Sequence, residues 1–216
     1  MLGALLFGLA FWLSFLVVVC VLWSRGKMAA TALPDMTGRV VVITGTTSGL
    51  GREMERLFRQ ANATVISCNR REHAADGVQH VPLDLADLQQ VATAAETIHA
   101  LTPRIDLLIA NAGLAATPPA TKTVQGFELQ MGVNYLSHAA LVLALEDLFA
   151  PDARVVLLSS LNAADCTDAA VPFIDDGHHS AFEYYDASKL AVALFAKAYA
   201  ARHPGTTCVA VHPGLV

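Results

Sequence analysis

The stretch RVVVITGTTSGLG, Arg39 to Gly51, decides the fold. Its first half, Arg39 to Thr44, is a short β-branched apolar run with Gly on both sides, the pattern of a strand buried on both faces. Its second half, Thr44-Gly45-Thr46-Thr47-Ser48-Gly49-Leu50-Gly51, sets three glycines where that strand turns into a helix expected over Arg52 to Gln60. Glycines there let the backbone approach a pyrophosphate, and the helix N-terminus adds unpaired N–H groups and a positive dipole end. A Gly-rich turn without a ligand is the plainer alternative. The position between a first strand and a helix favours anion binding.

Working outward, Asn62 suits a left-handed stop after that helix. Strands are expected at Ala63 to Cys68, Gln79 to Leu83, Ile105 to Ala110, Arg154 to Ser159 and Thr206 to His212. Helices are expected at Ala86 to Leu101, Tyr185 to His203 and, as one long element, Val124 to Ala150. Continuous apolar strands separated by helices imply a parallel sheet covered on both faces. The expected class is α/β, a Rossmann-like doubly wound parallel sheet over residues 38–216, preceded by an N-terminal transmembrane helix. No internal repeat is visible.

The chain has 216 residues, 54% hydrophobic and 15% charged, with a net charge of -5. Its mean hydropathy is +0.47. That composition excludes disorder, and no block of Lys or Arg marks a nucleic-acid partner. The four cysteines, Cys20, Cys68, Cys166 and Cys208, are far apart, so neither a disulfide framework nor a metal site is expected. The excess apolarity sits at the start, where residues 1–24 carry no charged side chain. As a helix they span about 36 Å, enough for a hydrocarbon core of about 30 Å. Trp12 and Trp23 are compatible with interfacial placement, and Arg25 and Lys27 follow at once, which leaves the rest of the chain on the cytosolic side. A cleaved secretory peptide is the rival, supported by Ala30-Thr31-Ala32 but opposed by the missing basic n-region and the long apolar run. A shallow hairpin in one leaflet is the third option. Residues 25–37 read as a linker.

Tyr185 and Lys189 stand at i and i+4 of a predicted helix, so both project from one face. An ammonium beside a phenol favours phenolate, which suits a tyrosine to general acid/base work on a carbonyl/alcohol couple. Ser160 ends the preceding strand and is placed to hydrogen-bond a substrate oxygen as charge develops. A surface Tyr/Lys pair and an idle strand-end serine are the bland readings, and the glycine turn tips the balance toward catalysis. Tyr184 is a decoy, because its +4 residue is Ser188. Ser159 competes with Ser160, but strand alternation turns it to the opposite face.

These motifs resemble the short-chain dehydrogenases/reductases, and YDASKLAVALFAKAYAARHPG resembles the retinol dehydrogenase branch. The similarity runs from about Thr37 to Val216. It implies a cofactor site at Gly45, Thr47, Ser48, Gly49, Leu50 and Gly51, with Asp84 and Leu85 beside the adenine and Asn111-Ala112-Gly113 beside the cofactor. It implies catalytic roles for Asn134, Ser160, Tyr185 and Lys189: Asn134 supporting a proton-relay water, and Tyr185 and Lys189 also touching the nicotinamide ribose. Pro213-Gly214 matches the family turn near the nicotinamide. Where NAD enzymes carry an acid, this chain has Cys68-Asn69-Arg70-Arg71, so NADP(H) is favoured over NAD(H), with Arg70 on the 2′-phosphate and Arg71 as backup. Two merely solvated arginines are the alternative. His178 and His179 read as a polar loop rather than a metal site.

Two departures from the family stand out. The gap from Ser160 to Tyr185 holds 24 residues, long for the family but matched in its retinol dehydrogenase branch. Family members also continue past the Pro-Gly turn with a Thr, a substrate-covering segment, a helix and a last strand. The expectation is therefore a fragment, a truncated isoform or an incomplete product, with an apolar sheet edge exposed. The implied function is a membrane-anchored NADP(H)-dependent oxidoreductase of the endoplasmic reticulum, interconverting an alcohol and a carbonyl on a retinoid, steroid or fatty aldehyde. The alternative is a catalytically impaired relative acting as a dinucleotide-binding or regulatory membrane protein. Expected partners are the lipophilic substrate, the membrane and, as a candidate, a second copy in a homodimer, without nucleic acid. A sugar epimerase or dehydratase is a lesser contender.

Overall fold

The computed structural model describes residues 33–72, 77–166 and 171–214. Six parallel strands form one sheet: β1 (Val40–Thr44), β2 (Thr64–Asn69), β3 (Val78–Pro82), β4 (Ile105–Ala110), β5 (Phe149–Leu158) and β6 (Thr207–Val211). Their order is β3-β2-β1-β4-β5-β6, all parallel. The order reverses between β1 and β4, which opens a crevice at the carboxyl ends of those strands. The helices are α1 (Gly49–Gln60), α2 (Leu88–Leu101), α3 (Ser137–Ala144), α4 (Asn162–Asp165) and α5 (Ala181–Arg202).

The all-apolar run of β1 follows from burial on both faces. Val42 packs on one side with Ile66, Leu108 and Val155, under Ile98 of α2, Leu141 of α3 and Val192 of α5. Val41 and Ile43 pack on the other with Val65 and Ile109, under Phe58 of α1. This second face is covered unevenly. Cys208 and Ala210 of β6 belong to the first face, so alternation sends Val209 and Val211 to the second. There they pair in register with Val156 and Leu158 and remain 40% and 39% exposed.

The long helix expected over Val124 to Ala150 does not form. A tight turn occupies its start: Gly126 has φ +87°, and Thr123 Oγ1 accepts from Phe127 N at 3.1 Å. The helical path then opens into a π segment, Met131–Leu136, before α3, and stops at Ala144. A 3₁₀ turn, Glu146–Leu148, leads directly into β5, so the last residues of the run are already strand. A Leu/Ala-rich run fits helix and buried strand alike, which is why its pattern could not mark the change. Conversely, α5 begins a turn earlier than expected, because Ser180 and Glu183 form a capping box ahead of it. The short α4 was not foreseen.

The anchor expected over residues 1–24 and most of the linker lie outside the described residues. Among the described residues no helix is long and apolar enough to cross a membrane. The end of the linker is fastened: Met36 N donates to Ala61 O at 2.6 Å, and Asp35 accepts from Asn62 Nδ2 at 3.0 Å.

Candidate active site

The turn from β1 to α1 is folded tightly against the turn after β4. Gly45 has φ +74°, and a Cβ on it would lie 2.9 Å from Ala112 Cα. A Cβ on Gly51 would lie 2.0 Å from the carbonyl oxygen of Gly45, so no larger residue fits without moving backbone. Asn111 fastens the two turns, its Nδ2 donating to Thr44 O and Gly45 O at 2.9 Å each. Ser48 is the N-cap of α1, yet its side chain makes no capping bond and the first turn carries no acid. The first N–H groups of α1 thus have neither a side-chain acceptor nor a nearby carboxylate, which fits a bound phosphate.

A cleft of about 620 Å³ opens there. Gly45, Thr47, Ser48, Leu50 and Gly51 line it from the first turn, and Arg70 and Arg71 from the end of β2. Asp84 and Leu85 line it after β3, and Asn111, Ala112 and Gly113 after β4. These expected cofactor residues are brought together. Gly49 is not on the wall; at φ +55° it opens the helix. Pro213 and Gly214 follow β6, exposed and outside the lining of this cleft. The turn that supplies the acid in NAD enzymes holds Asn69, whose amide is bonded at both ends: Oδ1 accepts from Thr46 N at 2.7 Å, and Nδ2 donates to Thr46 Oγ1 at 3.0 Å. Sequence reading passed over this residue.

Of the residues expected to be catalytic, Asn134 and Lys189 meet behind one wall of the cleft, and none of Asn134, Ser160, Tyr185 and Lys189 lines it. Asn134 lies in the π segment, 2% exposed. Its Oδ1 accepts from Leu114 N at 2.8 Å, and its Nδ2 donates to Leu114 O at 2.9 Å and to Ser188 Oγ at 3.0 Å. Lys189 is buried, and its Nζ donates to Leu158 O at 2.9 Å, a residue of the cleft lining. A Cβ on Gly113 would sit 3.2 Å from Asn134 Oδ1 and 3.4 Å from Lys189 Nζ. The absence of a side chain at Gly113 is therefore what brings the amide and the ammonium up to the wall. Burial pulls the lysine down to about 8. Its Nζ lies 5.7 Å from the centre of the Tyr185 ring.

The two serines separate as alternation requires. Ser159 is buried and its Oγ donates to Lys189 O at 2.8 Å, bracing α5. Ser160 is half-buried, its Oγ donating to Asn162 Oδ1 and accepting from Asn162 N, both at 3.3 Å. Asn162 Nδ2 donates in turn to Asp186 Oδ1 at 2.9 Å, linking Ser160 to the residue after Tyr185. Asn162 was missed; a Ser-x-Asn step opening a short helix was its only signal. Tyr184 is fully buried, and its hydroxyl donates to Asp175 Oδ1 at 3.2 Å. Burial first, and the Asp175 carboxylate with it, push that phenol up to about 12. His179 Nδ1 lies 3.0 Å from Asp176 Oδ1. Among the described residues no three His, Cys, Asp or Glu side chains gather as a metal would need.

A family model described as short chain dehydrogenase matches residues 39–216. Human retinol dehydrogenase 12 is 37% identical over 202 residues, which cover 84% of this chain and 63% of that protein. Mouse polyprenol dehydrogenase is 34% identical over 197 residues, covering 80% of this chain and 57% of that one. The crystal structure of an uncharacterized protein from Mycobacterium paratuberculosis matches with a TM-score of 0.76 and 34% identity, covering 84% of this chain and 70% of that chain. The chain spans between 57% and 66% of the length of the curated relatives it matches.

Proposed function

The chain belongs to the short chain dehydrogenase family, and from that premise we propose that it interconverts an alcohol and a carbonyl on a lipophilic substrate, using NADP(H) in preference to NAD(H). The observation that carries the reading is the meeting of Lys189 Nζ and Asn134 Oδ1 behind Gly113, at the wall of a cleft that the glycine turn Gly45 to Gly51 also lines. When bound, the dinucleotide supplies or accepts the hydride. Tyr185 gives the proton to the carbonyl oxygen in reduction and takes it from the hydroxyl in oxidation, so hydride and proton together balance the couple. Lys189 Nζ, 5.7 Å from the centre of the Tyr185 ring, holds a cation beside the phenol during that exchange. Ser160 Oγ holds the substrate oxygen once its proton turns away from Asn162.

Cofactor preference rests on the end of β2. The Asn69 amide is tied to Thr46, which leaves the exposed Arg70 and Arg71 guanidinium groups to meet a 2′-phosphate. The substrate class rests on exposed apolar side chains adjoining Ser160 and Tyr185 in the chain: Leu161, 49% exposed, follows Ser160, and Phe182, 62% exposed, precedes Tyr185 by one helical turn. Two relatives are named for retinol and polyprenol, both long apolar alcohols. An anchor over residues 1–24, with Arg25 and Lys27 on the cytosolic side, places the site beside a membrane, in our reading that of the endoplasmic reticulum. Alkaline extraction of membranes checks this, since release of the chain into the soluble fraction removes the anchor.

A second reading, dinucleotide binding without turnover, is favoured by the cleft lining, which holds the expected cofactor turns but none of Asn134, Ser160, Tyr185 and Lys189. The deciding assay follows NADPH oxidation by the purified full chain in detergent, with retinal, steroid ketones and long-chain aldehydes. Turnover is expected, and Tyr185→Phe is expected to lower it about 10²- to 10⁴-fold while NADPH binding stays within about 3-fold. Undiminished turnover in that variant takes Tyr185 out of its role. NADPH binding with no turnover on any carbonyl selects the second reading.

A further inference from the structure

Thr44 ends β1 fully buried, and its hydroxyl accepts from two backbone donors of the turn after β4, Asn111 N and Ala112 N, each at 3.0 Å. A hydroxyl offers two lone pairs and one proton. With both lone pairs engaged, the proton has His138 Nε2 as its neighbour, at 3.0 Å. That nitrogen must accept, so the ring carries its hydrogen on Nδ1. Nδ1 lies 3.1 Å from the backbone carbonyl of Asn134 and donates to it. The imidazole is 1% exposed, and burial, against the pull of that carbonyl, pushes it down to about 4. The Asn134 carbonyl can only accept, so in the neutral ring the hydrogen sits on Nδ1 and Nε2 accepts from Thr44.

We propose that His138 is a positioning residue for the reaction, resting on the function proposed above: its Nδ1–H holds the Asn134 carbonyl in the π segment, and its Nε2, through Thr44, ties that carbonyl to the Asn111–Gly113 turn. A π turn widens the helical ladder, so the orientation of a peptide within it depends on its local partners. The Asn134 peptide governs where the Asn134 amide points. That amide meets Leu114 and Ser188, and Ser188 Oγ donates to Tyr185 O at 2.7 Å. The strut therefore reaches from the cofactor turn to the helix carrying the phenol. Ser137 and His138 are both buried beneath this junction, yet Ser137 Oγ donates away from it, to Leu85 O at 2.7 Å.

The first measurement needs no variant and no substrate. Ring ¹⁵N shifts of His138 in the full-length protein are expected to show a neutral Nδ1–H imidazole at pH 7; an Nε2–H or a protonated ring overturns the proposal. The second compares His138→Leu, which removes both arms, with His138→Asn, which keeps a short donor toward the Asn134 carbonyl. The Leu114 amide resonance, a report on Asn134 Oδ1, is expected to move in His138→Leu and to stay near its wild-type position in His138→Asn. In the NADPH assay, kcat is expected to fall on the order of 10- to 100-fold in His138→Leu, with KM for NADPH within about 3-fold and most of kcat restored in His138→Asn. An unmoved Leu114 amide, or equal losses in both variants, overturns it. If the wild-type chain turns over no substrate, the reading of function fails by itself, and the tautomer and the Leu114 amide still decide this one.

Discussion

A buried imidazole that stays neutral in the fold takes up its proton only on unfolding, which makes His138 a source of pH-dependent stability. Burial lowers it from 6.5 to about 4. Between those values the unfolded chain binds a proton that the folded chain does not. Stability is therefore complete above pH 6.5 and falls as pH drops toward 4. The span corresponds to roughly 3 kcal/mol. Urea unfolding at pH 7.5 and pH 4.5 should show the wild type losing about that much more than His138→Asn; equal losses would mean that the folded ring protonates normally. At this scale the sequence is readable where chemistry is local. Tyr185 and Lys189 are one turn apart, and the glycines of Gly45 to Gly51 are consecutive with strand and helix. The Asn69–Thr46 and His138–Thr44 pairs lie 23 and 94 residues apart, and no spacing announces either.

Two helix starts carry a serine cap and use it differently, which separates folding from binding at the level of elements. Ser180 closes a capping box with Glu183 at the head of α5, Glu183 N donating to Ser180 Oγ and Ser180 N to Glu183 Oε2. Ser48 heads α1 with its side chain making no such bond, and it lines the cleft. Removing a working cap costs about 1 kcal/mol. Ser180→Ala is expected to lower Tm by about 2–4 °C with NADPH affinity unchanged. Ser48→Ala is expected to leave Tm within about 1 °C and to weaken NADPH binding several-fold. Thermal melts and fluorescence titration of both variants check the pair, and a swapped pattern would refute this division of roles. The same contrast explains what pattern reading of elements achieved. The inner strands β1, β2 and β4 were legible as apolar runs, because a parallel sheet leaves them no polar face, whereas the edge strand β3 carries Gln79 and His80 and is largely unburied. The run before β5 was misread because helix, π turn, 3₁₀ turn and strand succeed one another without a Gly or Pro from Val133 to Ala150. Its divisions are set by contacts such as Phe149 pairing with Ile105, remote in sequence.

Among the described residues the sheet has one face packed by three helices and one left partly exposed at β6. The first is packed by α2, α3 and α5, with residues such as Ile98, Leu141 and Val192 almost fully buried. The second is packed by α1 over β1 and β2, while the register Val156–Val209 and Leu158–Val211 extends an apolar stripe to the edge strand. Apolar area removed from water is worth about 25 cal/mol per Å², so a stripe of this kind drives association wherever a complementary surface is available. Its most accessible complement in a purified sample is the same stripe on another copy, and an edge strand adds unpaired backbone groups. The chain is therefore expected to self-associate at micromolar concentration in sedimentation velocity. The Val209→Lys/Val211→Lys double variant should shift it toward monomer, because two cations on facing stripes repel and resist desolvation. Neither residue lines the cleft, so NADPH affinity should stay within about 2-fold. If the variant associates as strongly as the wild type, association runs through another surface, and the uncovered face at β6 is not what limits this chain as a monomer.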